Sequence, residues 1–176
     1  MRGWMTVVGV VSLVFAAMVL VAVISQNIAE SKAYNARFGN YWELADRSST
    51  IAAKSQYIGQ FVDALNSSRF EFAEYAAIYY QTPENRFDTN LQAVSTLRDR
   101  LNDISKMNDS SFEYQMAIQQ ITGQEQGEAA NLLHVFDQSF AKQSYPLAFN
   151  AYAIIALLCV GILALLGFAF IAADGY

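Results

Sequence analysis

Two long stretches without an Asp, Glu, Lys, Arg or His limit what this chain can become: residues 4–24 (WMTVVGVVSLVFAAMVLVAVI) and 147–173 (LAFNAYAIIALLCVGILALLGFAFIAA). As helices they extend roughly 31 and 40 Å, enough to cross a hydrocarbon core about 30 Å thick, the second with tilt. The expectation is an all-α membrane protein, with transmembrane helices over 4–25 and 147–173 flanking a middle region, 26–146. The first run is longer than the apolar core of a signal peptide, about 7–15 residues, and reads as a retained anchor. Both termini then share one side of the membrane, and Arg2 before the first span favours the cytoplasm for them. The middle region is accordingly expected to be extracytoplasmic.

That region holds every charged residue except Arg2 and Asp174, and the formal net charge is -5. Nucleic acid is not an expected partner, because phosphate binding needs clustered Lys and Arg. Cys159, the one cysteine, lies inside the second run, so no disulfide framework is expected.

The middle shows helical rather than strand periodicity. Leu44, Ile51, Ile58, Leu65, Phe72 and Tyr79 recur every seven residues, a series that passes through Asn66-Ser67-Ser68 without losing phase. It predicts one helix from the membrane to about Gln81. Thr82, Pro83 and Glu84 suit a cap, first position and first turn, predicting a second helix to about Lys106 with Leu91, Val94, Leu97, Leu101 and Ile104 on one side. Asn108, Asp109 or Ser110 can cap a third helix, about 111–143, with Ile118, Ile121, Leu132, Val135, Phe136 and Phe140 on its apolar side. Gly123 and Gly127 mark its weakest part. The ascending arm and the two returning helices are matched in length at roughly 80 Å. A long, coiled-coil-like helical hairpin is therefore expected, in preference to a four-helix bundle broken at Asn66-Ser67-Ser68.

The stretch SSRFEFAEYAAIYYQTPENRF, residues 67–87, holds the densest run of rings and falls at the expected tip. On a helix, Phe72, Tyr75 and Tyr79 continue the seven-residue stripe, while Phe70, Ala73, Ala77 and Tyr80 form a second stripe on the opposite side. One hairpin partner covers one stripe, so the second asks for another neighbour: Phe87 and the following helix if Phe70 and Tyr80 wrap around the tip, another polypeptide, or a small molecule between the tip helices. A collar above the first span, including Phe38 and Trp42, is a further candidate protein contact. Within the spans Gly9, Gly161 and Gly167 allow close helix approach. A lone hairpin of this length has little core per residue, which points to other membrane protein subunits or a homodimer as partners, with the lipid bilayer around the spans.

Chemistry-bearing constellations are scarce. His134 is the sole histidine and reads as an interface or core residue. Glu71 with Glu74, Asp99 with Asp103, and Glu125 with Glu128 share helix faces but lack the histidines of a bundle-type metal site. No phosphate loop or nucleophile elbow is present. No catalytic, cofactor or metal site is expected, and the uncharged spans offer no proton path of their own. Asn66 and Asn108 match the glycosylation sequon.

The stretch AEYAAIYYQTPENRFDTNLQAVSTLRDRL, with its T-x-x-N corner, resembles the four-helix-bundle sensor ectodomains of chemoreceptors and sensor histidine kinases over residues 26–121. The resemblance implies a helical sensor module between two spans but carries no ligand-binding residue to a position here. Those receptors continue into cytoplasmic signalling domains; here a signal is expected to leave through a partner. The expected function is a non-catalytic accessory subunit of a larger membrane complex, the alternative a stand-alone sensor or adaptor that dimerises and signals through a separate partner.

Overall fold

The structure is a computed structural model that describes residues 2–77, 80–108, 110–145 and 150–174. Among the described residues it is all-helical: α1 (Arg2–Tyr34), a π-helical turn (Asn35–Gly39), α2 (Asn40–Asp46), α3 (Ile51–Ser67), α4 (Phe87–Ile104), α5 (Phe112–Ser144) and α6 (Asn150–Asp174). An isolated antiparallel bridge joins Tyr75 and Arg86. The chain divides into two compact units, one of Met1–Glu30 with Tyr145–Tyr176 and the other of Ser31–Ser144.

In the first unit, α1 and α6 are apolar around most of their circumference. Val7, Val11, Val14, Phe15, Met18, Val21 and Ile24 are exposed on α1, and Leu158, Ile162, Leu165 and Phe168 on α6. The helical stretch Val7–Asp46 is the one among the described residues long and apolar enough to cross a membrane. The second apolar run is described only from residue 150, and Leu158–Ala169 within it is a shorter apolar helix. The two helices meet where glycine permits: a Cβ on Gly167 would stand 2.9 Å from the Gly9 carbonyl oxygen and 3.0 Å from Leu13 Cγ. Gly161, expected to share this role, faces open space, with nothing within 4 Å of its Cβ position.

The second unit is not the expected hairpin. Its ascending arm ends at Asp46, and the rest folds as successive helices packed in sequence, α2 on α3, α3 on α4 and α4 on α5, of which α5 has the length expected of the third helix. Side-chain chemistry explains the break. Ser48 Oγ donates to the Leu44 carbonyl at 2.7 Å, and Thr50 turns extended and caps α3 by accepting from Ala53 N at 3.2 Å. Local bonds of this kind compete with the helical ladder and restart it in a new direction. The arm stops a second time at Asn66-Ser67-Ser68, where Asn66 and Ser67 bond back to the carbonyls of Val62 and Ala64.

The heptad series is therefore not one helix face. Ile58 and Leu65 are buried on α3, and Phe72 is buried from extended backbone, whereas Leu44 is exposed; Tyr79 lies outside the described residues. The α3–α4 register is antiparallel, since Arg69 pairs with Asp88 and Gly59 lies against Arg98. Thr82 and Pro83 open a 3-10 turn, Pro83–Asn85, and α4 starts later, at Phe87. Ser111 caps α5, its hydroxyl accepting from Tyr114 N at 3.1 Å, while Asn108 Oδ1 accepts from Ser110 N at 3.0 Å and Asp109 lies outside the described residues.

The core of this unit is a chain of rings. Trp42 contacts Phe61, Phe61 contacts Phe136, Phe136 contacts Phe87, Phe87 contacts Phe72, and Phe72 contacts both Phe38 and Phe140, with centroid separations of 4.8–5.8 Å. Every helix of the unit contributes to it. Phe38 is thus spent inside the fold and Trp42 is half-buried against Phe61, so the collar expected to meet another protein is largely internal.

Candidate functional site

The ring-rich segment does not form a tip. It is the long loop between α3 and α4, and it closes the end of the Ser31–Ser144 unit at which both chain ends leave. Backbone bonds pin it there: Ala73 N donates to Ser139 O at 3.0 Å, Ala76 N to Asn85 O at 2.9 Å and Phe87 N to Glu74 O at 2.9 Å. Side chains from the π turn and from α5 complete the attachment. Arg37 Nη2 donates to Glu71 Oε1 at 2.7 Å and to Ser68 Oγ at 3.2 Å. Lys142 Nζ donates to the carbonyls of Tyr75 and Ala77 at 2.8 and 3.2 Å, and Ser144 Oγ to that of Glu71 at 3.2 Å. The hydrogen bond from Arg37 holds the Glu71 carboxyl below its ordinary value, and burial lowers Lys142.

This attachment scatters the expected second stripe. Ala73 is buried, Ala77 is half-buried, and Phe70 and Tyr80 are 76% and 78% exposed. They share a loop but not a helix face, because none of the described residues in 72–82 is helical. Glu71 and Glu74 likewise serve two different arginines, Arg37 and Arg86, and do not form a cation site. Asp99 pairs with Arg98 and Asp103 with Lys106. The side chains of Glu125 and Glu128 lie outside the described residues. Among the described residues no group of three His, Cys, Asp or Glu side chains is placed to hold a metal ion.

Two features escaped the sequence reading. The first is an open groove of about 660 Å³ between the first arm and α5, lined by Tyr34, Asn35, Trp42, Glu43 and Asp46 on one side and Leu133, His134 and Asp137 on the other. The π turn shapes its wall. A Cβ on Gly39 would stand 2.5 Å from Asn35 Oδ1, so a larger residue there would displace the Asn35 side chain on this wall, and bulges of this kind gather at functional positions. His134, expected in the core or an interface, is exposed on this groove. The second feature is an apolar patch at the far end of the unit, where α4 turns into α5. Phe112 is 74% exposed, with Met116 one turn along and Met107 in the turn itself also exposed.

Compared with known proteins, no family model, no curated protein and no solved structure matches this chain.

Proposed function

We propose that this chain is a non-catalytic accessory subunit of a membrane protein complex, rooted by two transmembrane helices and reaching its partner through the far end of its helical bundle. The apolar circumference of α1 and α6 supports the two spans, since such a surface has no favourable place in water. The bundle is read as extracytoplasmic and both chain ends as cytoplasmic, on the strength of Arg2. The observation that carries the reading is the patch of Met107, Phe112 and Met116. A bundle with its own aromatic core gains nothing internally from these side chains, and methionines beside an aromatic ring suit an adaptable protein contact.

The test is extraction of the full chain from its native membrane in mild detergent, followed by stoichiometry. A fixed hetero-complex that dissociates in Phe112→Ser with Met116→Ser, helix content unchanged, supports the reading. A complex indifferent to both substitutions removes the patch from it.

A second reading, a sensor or adaptor that dimerises, is favoured by the groove, which lies between the two helical arms through which the unit's chain enters and leaves. A ligand seated there bears on both arms at once. A homodimer whose thermal stability rises with a small molecule, and loses that response in Trp42→Ala, supports it.

A further inference from the structure

We propose that the groove between the first arm and α5 binds a linear aliphatic polyamine, its ammonium groups on the carboxylates and its methylenes on the aromatic wall. The inference rests on the reading of that groove as a ligand site and adds the chemical class of the ligand. Every residue it uses belongs to the Ser31–Ser144 unit.

The sign of the charge comes first. Glu43, Asp46 and Asp137 line the groove, and no Lys or Arg does. Glu43 and Asp46 lie in the last turn of the arm, which has no basic residue. A helix presents its negative end there, so a carboxylate is badly placed. Arg47 pairs with Glu43, but among the described residues no cation pairs with Asp46. A bound cation relieves that charge, whereas a phosphate or carboxylate ligand finds no counter-charge in the lining.

Spacing decides which kind of cation. Glu43, Asp46, His134 and Asp137 share the groove, yet no three of them are placed to hold one metal ion. The negative charge is spread along the walls, which suits a cation whose own charges are spread along a chain. An ammonium only donates and a carboxylate only accepts, so each pairing leaves no mismatched group. The volume of about 660 Å³ falls within the roughly 300–1,000 Å³ of small-molecule clefts. Because the groove is open, shape alone holds a neutral ligand weakly, and charge supplies the attraction.

The wall supplies the rest. Trp42 is half-buried and held edge to face on Phe61 at 5.6 Å, and Tyr34 is fixed against Phe38 and Phe140. Rings already locked by the core lose little freedom on binding, and aromatic rings attract ammonium groups while covering methylenes. Leu133 adds apolar surface from the opposite side.

The test titrates spermidine into full-length Trp4→Phe protein in a non-ionic detergent at constant ionic strength. Trp4 and Trp42 are the two tryptophans of the chain, so the emission then belongs to Trp42 alone. The expected result is a saturable change in emission, with affinity about fivefold weaker in Asp46→Asn, the upper end for one exposed ion pair. Asp46 is exposed, so the substitution spares the core, and an unchanged melting midpoint without spermidine checks the fold. Magnesium chloride and 1,8-octanediol are the control probes, and neither is expected to reproduce the change. An equal response to magnesium, or spermidine affinity unaltered in Asp46→Asn, overturns the proposal. An equal response to the diol overturns the amine class and leaves the groove a ligand site. No response to spermidine also overturns the amine class. The groove reading itself is judged separately, by whether Trp42→Ala abolishes ligand-induced thermal stabilisation, whatever the ligand.

Discussion

Glu71 ties the α3–α4 loop to the first arm through a group that titrates. Its folded pKa is lowered, first by the hydrogen bond from Arg37, relative to an ordinary value of 4.5. A carboxylate depressed in the folded state contributes stability that is complete above the unfolded pKa and is lost as pH falls through the folded one. Glu71→Gln is therefore expected to be less stable than the parent at neutral pH by up to about 1 kcal/mol, modest because Arg37 is partly exposed. The two proteins should converge in Tm as pH drops below 4.5, measured by thermal melts across an acid series. A constant gap at every pH would remove the ion pair as its cause. Phe72 makes a different point at the same scale. Its burial was legible in the seven-residue series, but its backbone is extended, so the right residue reached the core by a conformation the periodicity did not imply.

At the scale of elements, the glycines divide cleanly. Gly167 meets the Gly9 carbonyl and Leu13, and Gly161 meets nothing. Gly167→Val is expected to loosen the α1–α6 pair by about 1–3 kcal/mol, the range for overpacking a close contact, while Gly161→Val leaves it unchanged. Thermal unfolding of the full chain in one detergent distinguishes them, and equal effects at both positions would show that neither measures helix approach. Both glycines stood out equally in the sequence, because composition reveals where helices can approach but not on which side. The break before α3 was missed for a related reason. Ser48-Ser49-Thr50 is an N-cap signal, overlooked because the apolar series continued across it. Cap and ladder differ by only about 1 kcal/mol, too little for a local pattern to decide against continued periodicity.

At the scale of the whole molecule, the ring chain from Trp42 to Phe140 crosses every helix of the Ser31–Ser144 unit. Phe140→Ala removes a side chain that touches Tyr34, Phe38 and Phe72 at once. It is expected to cost about 3–5 kcal/mol, with the near-ultraviolet ring signal and the helical signal lost in one transition at a lower midpoint. Separate transitions would mean that the rings do not couple the helices. Helical content, the placement of charge between two apolar runs and the burial of positions such as Ile58, Leu65, Val94, Leu101 and Phe136 were determined by the sequence alone, because they depend on the order of polar and apolar residues over a few turns. Only tertiary structure decided where the chain reverses, which rings turn inward and that the aromatic segment lies beside the chain exits instead of at the far end. Those outcomes depend on packing between residues up to a hundred positions apart, such as Phe38 and Phe140, and competing backbone paths can bury the same side chains.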